Sequence, residues 1–341
     1  MRTINTTAIA LIIALGVPIG AQVGASKPIP VTPDNFARAE TDMYFAQFAS
    51  RGGFGKFNHG RELPLGEDTG VRPNRDTLYS IAVFDLDAAP VTITLPDAGE
   101  RFMTMMVVDQ DHYVSRVVYG KGTHTLDRKT IGTRYVFAAI RILVDPADPQ
   151  DVKKAHALQD AVAVSQKSSG RLETPNWDVA SQKKVRDALL VLNETLPDLR
   201  RAGGRRGEVD PVRHLIATAS AWGLNPEQDA IYLNVTPARN DGATVYRLDV
   251  KDVPVDGFWS VIVYDQRGLI LKNSLNAYNV NTITAKKGAD GSVAIQFGGC
   301  DGKIPNCLPI MRGWNYMVRL YRPRAEILNG RWTFPEARPL V

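Results

Sequence analysis

Charged side chains lie at the entrance of an apolar strand in residues 71–80, which read Val-Arg-Pro-Asn-Arg-Asp-Thr-Leu-Tyr-Ser. In an extended chain the side chains divide between two faces, one with Arg72, Asn74 and Asp76, the other with Arg75, Thr77 and Tyr79. A charge buried at such a place needs a partner. We therefore expect Arg75 and Asp76 either to clamp neighbouring loops or to face a cleft and bind a polar ligand.

A second polar cluster, Asp109 to Tyr113, directly follows the apolar strand predicted at 102–108. An Asp beside a His can orient it as an acid or base. If Asp76 and Asp109 approach each other on adjacent antiparallel strands, the pKa of one of them rises. Structural clamping is the alternative for both clusters. The predicted ligand-binding residues are Asn74, Arg75, Asp76, Tyr79 and Asp109, and the catalytic candidates are Asp109, His112 and Asp76.

The elements that must position these residues are mainly strands. Runs rich in β-branched and aromatic residues, separated by Gly- and Asp-containing turns, precede residue 148 and return after 224. Between them, Val185, Leu189, Leu192 and Leu196 form a helical stripe. The fold class is therefore mainly β with a helical connector (α+β), with two antiparallel β-sandwich or jelly-roll-like domains. The predicted segments are a signal peptide at 1–25, an N-terminal β domain with a leading helix at 26–147, the connector at 148–224 and a C-terminal β-sandwich at 225–341.

Composition and motifs exclude several classes of function. The 341 residues are 44% hydrophobic and 23% charged, which is typical of a globular protein, and the net charge is only +5. The densest basic cluster, Arg200, Arg201, Arg205 and Arg206, predicts a solvated loop, with attraction to anionic lipid or polysaccharide as the alternative, so we expect no nucleic-acid partner. Nucleophile-elbow, P-loop, HExxH and EF-hand motifs are absent, and we expect no cofactor. A metal site would require His59, His112 and His124 to converge, which nothing in their spacing demands.

The N-terminus and the cysteines predict export. Arg2 precedes an apolar run of about ten residues, too short to cross a bilayer, and Ala21 and Ala25 offer cleavage points. An uncleaved anchor is the alternative to cleavage, and no stable membrane insertion is expected otherwise. The two cysteines, Cys300 and Cys307, predict a disulfide in an oxidising compartment, with a two-Cys metal site as the rival. The predicted location is periplasmic or secreted.

Two sets of motifs resemble a known pairing of bacterial domains. The first comprises the run 73–80, the strand entering Asp85-Leu86 and the segment 101–109, which resemble domain of unknown function 1254. The second includes Gly257-Phe258-Trp259-Ser260, Arg319-Leu320-Tyr321-Arg322-Pro323 and Asn329-Gly330-Arg331-Trp332, which resemble domain of unknown function 1214. The resemblance implies a two-domain, β-rich, usually exported and often homo-oligomeric protein, and no settled activity. Where that family tends to have Asn-Trp-Leu-Pro, this chain has Cys307 in place of the Trp, which suggests that a local disulfide replaces its packing.

Three functional hypotheses follow from these residues. The first is an exported protein that binds a small polar or carbohydrate-like ligand in a cleft between the two β domains, with Arg75, Asp76 and Asp109 as the polar floor. An aromatic wall in the C-terminal sheet would suit a sugar, with core packing of the rings as the alternative. Its predicted residues are Trp259, Tyr264, Asn306, Trp314 and Tyr321. The second is a hydrolase or lyase that uses Asp109 and His112 as acid and base, with Asp76 orienting them. The third is a structural envelope component.

Overall fold

A computed structural model of the protein describes residues 27–67 and 70–340. The predicted signal peptide and its cleavage points lie outside the described residues. Within these ranges, no helix combines the length and the apolar character that crossing a bilayer requires.

The N-terminal domain is a sandwich of a five-stranded and a three-stranded sheet. The larger sheet has the order β1-β2-β7-β4-β5, and the smaller has the order β6-β3-β8. The strands are β1 Asn58–His59, β2 Thr77–Asp85, β3 Val91–Leu95, β4 Met103–Asp109, β5 Val114–Tyr119, β6 Gly122–Leu126, β7 Tyr135–Leu143 and β8 Ala163–Gln166. Every residue of β4 and β7 is buried, because the larger sheet is covered on both faces.

The layer on the outer face of the five-stranded sheet consists of α1 Phe36–Ser50, α4 Val179–Asn193 and α5 Pro211–Ser220. The short α2 Arg128–Ile131 and α3 Pro149–Asp160 contribute Ile131 and Ala155 to the core between the two sheets, and α6 Ala325–Leu328 lies near the C-terminus. Asp148, Asp178 and Asp210 cap α3, α4 and α5 by accepting backbone N–H groups of the first turns. Only α1 and its neighbours α4 and α5 pack together here, and Phe45 and Phe48 of α1 contact Phe137 of β7.

The C-terminal domain is a second sandwich, of two four-stranded sheets with the orders β12-β11-β15-β9 and β14-β13-β10-β16. The strands are β9 Ala230–Val235, β10 Tyr246–Val250, β11 Trp259–Tyr264, β12 Asn279–Asn281, β13 Val293–Phe297, β14 Cys307–Leu308, β15 Asn315–Tyr321 and β16 Arg338–Pro339. Alternate residues of β15 point into the sandwich core, and the others point towards the N-terminal domain.

The predicted fold class, mainly β with two antiparallel sandwich domains and a helical segment between them, is confirmed. The connector is not wholly helical, however. β8 lies inside the predicted 148–224 segment and pairs with β3, so this part of the connector completes the N-terminal sandwich. Its residues Val162 and Val164 fit a helical stripe by spacing, but they pack into a sheet core instead.

Candidate functional site

A large cleft lies between the two domains. Its volume is about 1140 Å³. One wall is the outer face of β2 and β7, the opposite wall is the outward face of β9 and β15, and α1 and residues 220–225 close one end. An interdomain cleft of this size is a usual place for a small-molecule site.

Two buried arginines line opposite walls of this cleft, Arg141 in the N-terminal domain and Arg319 in the C-terminal domain. Arg141 is the only charged residue of β7, and Arg319 is the only one of β15, where the neighbouring residues are buried. Arg141 is 6% exposed and Arg319 is 3% exposed. Nε of Arg141 donates to Tyr79 Oη at 3.2 Å, and Nη2 of Arg319 donates to the backbone oxygen of Arg72 at 3.0 Å. In the described chain, Nη1 of each guanidinium has no acceptor, although both atoms are buried.

Amides and phenols surround the two guanidinium groups. Nδ2 of Asn74 donates to Tyr79 Oη at 3.2 Å and to Tyr321 Oη at 3.0 Å, and therefore links the two domains. Nδ2 of Asn225 donates to Tyr232 Oη at 2.6 Å. Each of these phenol oxygens accepts an amide hydrogen, and none donates its own proton to an acceptor in the described residues. The site is therefore rich in donors.

The electrostatic field of the cleft is positive. Burial by itself would raise the pKa of Tyr79, but the charge and the hydrogen bond of Arg141 lower this pKa below its ordinary value. The carboxyl groups in the lining are at the mouth, where Asp198 and Glu336 are exposed and Glu227 is half-buried. Asp198 is also paired with Arg213 at 2.9 Å. Carboxylates therefore do not neutralise Arg141 at the floor.

The segment 71–80 forms a seam between the domains. Asp76 is fully buried, and its Oδ1 accepts hydrogen bonds from Asn279 at 2.8 Å and Asn281 at 3.0 Å, both in the C-terminal domain. Arg75 donates to the backbone oxygens of residues 63 and 64, and its guanidinium lies 4.7 Å from the ring centre of Tyr278. Both side chains have the clamping geometry that was the alternative to ligand binding.

The predicted division of this segment into two faces is wrong, because residues 72–76 are not extended. Arg72 has a φ of 53°, and the N–H of Asp76 donates to Oδ1 of Asn74 in a local turn. β2 begins only at Thr77. As a result Asn74 and Tyr79 both reach the cleft, whereas Arg75 and Asp76 are not part of its lining.

Asp109 and His112 belong to a tight turn at the far end of the same sheet. Oδ1 of Asp109 accepts the backbone N–H groups of Asp111 at 2.8 Å and Tyr113 at 2.9 Å. Burial raises the pKa of Asp109 to about 6. His112 is 2% exposed, and burial, with a smaller effect of His214, lowers its pKa to about 3. Neither residue lines the cleft, so the predicted floor of Arg75, Asp76 and Asp109 does not form.

The expected approach of Asp76 to Asp109 is also wrong. β7 lies between β2 and β4 and is antiparallel to both, so β2 and β4 run in the same direction. Asp76 precedes the first residue of β2, and Asp109 is the last of β4, where the register places it level with Phe84. The two carboxylates are therefore more than about 20 Å apart along the sheet. An enzyme in which Asp76 orients Asp109 and His112 does not fit this geometry.

His112 supports a wall of the cleft. Its Nε2 accepts the backbone N–H of Gly223 at 2.7 Å, and its Nδ1 lies 2.9 Å from Oγ1 of Thr218. Because Nε2 is an acceptor, His112 is neutral with the proton on Nδ1. This bond fixes the turn that carries Trp222, whose indole N–H donates to Thr41 and whose ring stacks on Tyr44.

The three histidines that a metal site would have required do not converge. The described residues contain no cluster of three His, Cys, Asp or Glu side chains suited to a metal ion. His59 is beside Ser80 at the start of β2, His112 is at the opposite end of the sheet, and His124 is on β6 of the smaller sheet. The predicted Cys300–Cys307 disulfide is confirmed, with an S–S distance of 2.04 Å.

Sequence reasoning missed the two arginines of the cleft. Arg141 was not singled out, and Arg319 appeared only within a family motif. The signal was a lone arginine inside an otherwise apolar strand, as in Ala-Ala-Ile-Arg-Ile-Leu for Arg141. Of the residues predicted to form an aromatic wall, Trp259 and Trp314 are packed in the sandwich core, which was the alternative interpretation. Tyr321 faces the cleft.

The fold and the site define a two-domain β protein with a donor-rich interdomain cleft. Residues 54–166 match the model of a protein family of unknown function, DUF1254, and residues 231–325 match that of a second, DUF1214. The chain therefore contains both domains, in the order that the resemblance predicted. Tyr79 and Arg141 come from the first matched region, and Arg319 and Tyr321 from the second.

Solved structures include similar folds. The chain resembles the VPA0106 protein from Vibrio parahaemolyticus, with a TM-score of 0.72 and 17% sequence identity over 91% of this chain and 98% of that one. An uncharacterized protein from Burkholderia cenocepacia matches with a TM-score of 0.48 and 12% identity, over 90% of this chain and 86% of that one. At these identities the likeness concerns the fold alone. Among curated proteins, none matches the chain significantly.

Proposed function

We propose that this protein binds a small anionic molecule in the interdomain cleft, with the anionic group held between Arg141 and Arg319. The observation that carries the proposal is the pair of buried guanidinium groups, each with an Nη1 that lacks an acceptor in the described chain. Carboxylate, phosphate and sulfate groups all match the planar fork of donors that a guanidinium presents.

A purely structural role explains these arginines poorly. Arginine keeps its charge at any pH of interest, and burying such a charge without a counter-charge is strongly unfavourable. The nearest partners of Arg141 are phenol groups, and those of Arg319 include the backbone oxygens of residues 72 and 73. Asp76 provides a negative charge on the Arg319 side only. An anionic ligand would supply the missing counter-charge and the missing acceptors.

The phenols extend the same chemistry. Because the oxygens of Tyr79, Tyr232 and Tyr321 already accept amide N–H groups, their own O–H groups can donate to a ligand. Such a set of donors favours a ligand that offers several oxygen acceptors. It disfavours a cation, which would meet two positive charges.

The cleft requires both domains. Arg141 and Tyr79 are N-terminal, Arg319 and Tyr321 are C-terminal, and the seam at 72–76 fixes their relative position through bonds such as that of Asn74 to Tyr321. A ligand that touches both walls would bind the native state selectively, and would stabilise it by about 2.7 kcal/mol at a hundred times its Kd.

We also propose that the protein works outside the cytoplasm. The Cys300–Cys307 disulfide supports this, since disulfides persist in oxidising compartments. The predicted signal peptide at 1–25 supports it independently.

The test replaces Arg141 or Arg319 by Met, which keeps the apolar stem and removes the charge. Replacing a buried charge by an apolar side chain of similar volume is often neutral or stabilising. We therefore expect R141M to unfold at an unchanged or higher temperature without ligand. R319M should unfold at a lower temperature, because it leaves the buried carboxylate of Asp76 without the positive charge of Arg319. Both should lose the thermal stabilisation that wild type gains from acetate, benzoate, glucuronate, sulfate or phosphate at constant ionic strength.

Arg101 is the matched control, since it is also largely buried but is paired with Asp151. R101M should lower the unfolding temperature and keep the anion response. Wild type that responds to none of these anions, or an R141M variant that responds as wild type does, would contradict the proposal.

A further inference from the structure

The cleft is much larger than an anionic group requires. Its 1140 Å³ exceeds the usual size of pockets for drug-sized ligands, which is roughly 300–1,000 Å³. The guanidinium and phenol groups occupy the floor near Tyr79 and Arg141, whereas the lining continues well beyond them. The remainder of the lining therefore indicates what else the ligand carries.

The lining changes from polar to apolar along β2 and β7. Tyr79 pairs with Arg141, two residues further Ile81 pairs with Ala139, and the next pair on this face is Val83 with Phe137. Phe137 lies four positions before Arg141 in β7, a distance of about 13 Å along the strand. Ala139 is the smallest of these side chains and lines the cleft at the middle of this path.

Aromatic side chains enclose the far end of the path. Trp222 stacks on Tyr44 with ring centres 4.5 Å apart, and meets Phe137 edge-on at 5.2 Å. Phe48 contacts both Phe137 and Trp222. The indole of Trp222 is fixed by its hydrogen bond to Thr41 at 3.1 Å. These rings offer the ligand apolar surface, because the indole N–H of Trp222 already donates to Thr41.

From this gradient we infer that the ligand is an amphipathic organic anion, an acid whose apolar body, aliphatic or aromatic, extends from the Arg141–Arg319 pair over Ile81 and Ala139 towards Trp222. The inference rests on the proposed anion binding and adds the class of ligand. An inorganic anion or a short acid would satisfy the guanidinium groups and leave the apolar part of the cleft uncovered. Burying that surface adds affinity in proportion to its area.

The experiment measures the affinity of two carboxylate series by isothermal titration at constant pH and ionic strength. One series is acetate, butanoate, hexanoate and octanoate, and the other is benzoate and 3-phenylpropanoate, with inorganic phosphate as the anion without an apolar body. Affinity should rise about three- to fourfold for each methylene group that reaches the apolar wall. The stronger of the two series identifies an aliphatic or an aromatic body.

Two variants test the path itself. Ala139→Leu should block it, and so should flatten the chain-length dependence while acetate binds as before. Ile81→Thr keeps a β-branched residue at a half-buried position of β2 and should weaken hexanoate binding about fivefold. The matched control is Ile283→Thr, an exposed isoleucine outside the cleft, which should leave both series unchanged.

The outcomes separate the two proposals. If acetate and phosphate bind in an Arg141-dependent way but chain length has no effect, the amphipathic ligand is wrong and the anion site stands. If octanoate binds equally well to R141M, the acid is held by apolar surface alone and both proposals fail. If Ala139→Leu unfolds the protein, the Ile81→Thr variant still decides whether the path carries the apolar body.

Discussion

The two ends of the five-stranded sheet carry similar residues and differ in what those residues bind. At one end Asp76 precedes β2, and at the other Asp109 ends β4, and both carboxylates are buried. Asp109 accepts hydrogen bonds from backbone groups two and four residues away. Asp76 accepts them from Asn279 and Asn281, which are 203 and 205 residues away. The carboxylate of Asp109 is therefore held by its own turn, and that of Asp76 by a seam between domains.

The difference shows where a functional site can form. A local turn can saturate its own polar atoms, as the turn at Asp109 does, and the ring nitrogens of His112 are engaged by Gly223 and Thr218. At the seam, the two domains bring their polar groups together, and some of these groups have no hydrogen-bond partner in the described residues. Oδ2 of Asp76 and Nη1 of Arg319 are both buried without a partner in the described residues. Of these two residues, Arg319 lines the cleft, and we expect the ligand at its unpaired Nη1.

The largest effect should follow from breaking the seam. Asp76→Ala removes the acceptor of two asparagine amides and the negative charge beside Arg319, and breaking a buried charged cluster costs about 3–5 kcal/mol. We expect the free energy of unfolding in urea to fall by that amount.

Asp76→Asn is the matched control, because it keeps an oxygen for the two amides and removes only the charge. Its loss should be smaller than that of Asp76→Ala. If Asp76→Ala lowers the free energy of unfolding by less than about 1 kcal/mol, the effect is no larger than that of one ordinary hydrogen bond. Asp76 would then not be what holds the two domains together.

Replacing Asp109, at the other end of the sheet, should raise stability, and by less than Asp76→Ala lowers it. The pKa of Asp109 is about 6 in the folded protein and 3.8 in the unfolded chain, so between these values the native state binds more protons. This group therefore lowers stability as pH rises from 4 to 6. Asp109→Asn keeps the accepting oxygen and should be more stable than wild type by about 2–3 kcal/mol at pH 7, with no gain near pH 3.5. Urea unfolding at the two pH values measures the difference, and an equal gain at both would refute the burial of an ionised carboxylate.

The smallest effect concerns His112. His112→Asn suits the φ of 67° at this position but loses the bond to Gly223, and we expect a loss of about 2 kcal/mol at pH 7. The folded pKa of His112 is about 3 and the unfolded one is 6.5, so wild type loses this stability as pH falls through that range. This loss reaches about 2 kcal/mol near pH 5, so the deficit of the variant should vanish there, and a deficit that is constant with pH would contradict the neutral histidine.

The pH dependences of Asp109 and His112 oppose each other in wild type between about pH 4 and 6. Each single variant should expose the slope of the remaining group, and the double variant should show neither. Neither Asp109 nor His112 contacts Asp76. The three variants therefore report on the turn at residues 109–113 without disturbing the seam.

The sequence by itself determined whether most segments are strand or helix. Alternating and apolar runs predicted the strands, the family motifs predicted the two domains, and the two cysteines predicted their disulfide, because these features depend on neighbours in the chain. Residues 71–80 were also recognisable as unusual, and Asn74 and Tyr79 do reach the cleft. The strand at 163–166 was mistaken for part of a helix, since four residues carry too little periodicity to decide.

Only the tertiary structure decided which polar residues meet. Whether Asp76 or Arg141 faces a cleft depends on strand order and on a second domain that begins some ninety residues after Arg141. Arg141 and Arg319 lie in strands of different sheets, and a lone charge in each strand does not reveal that the other exists. Burial and the count of available acceptors are properties of the assembled interface, and for that physical reason the chemistry of the cleft appeared only with the fold.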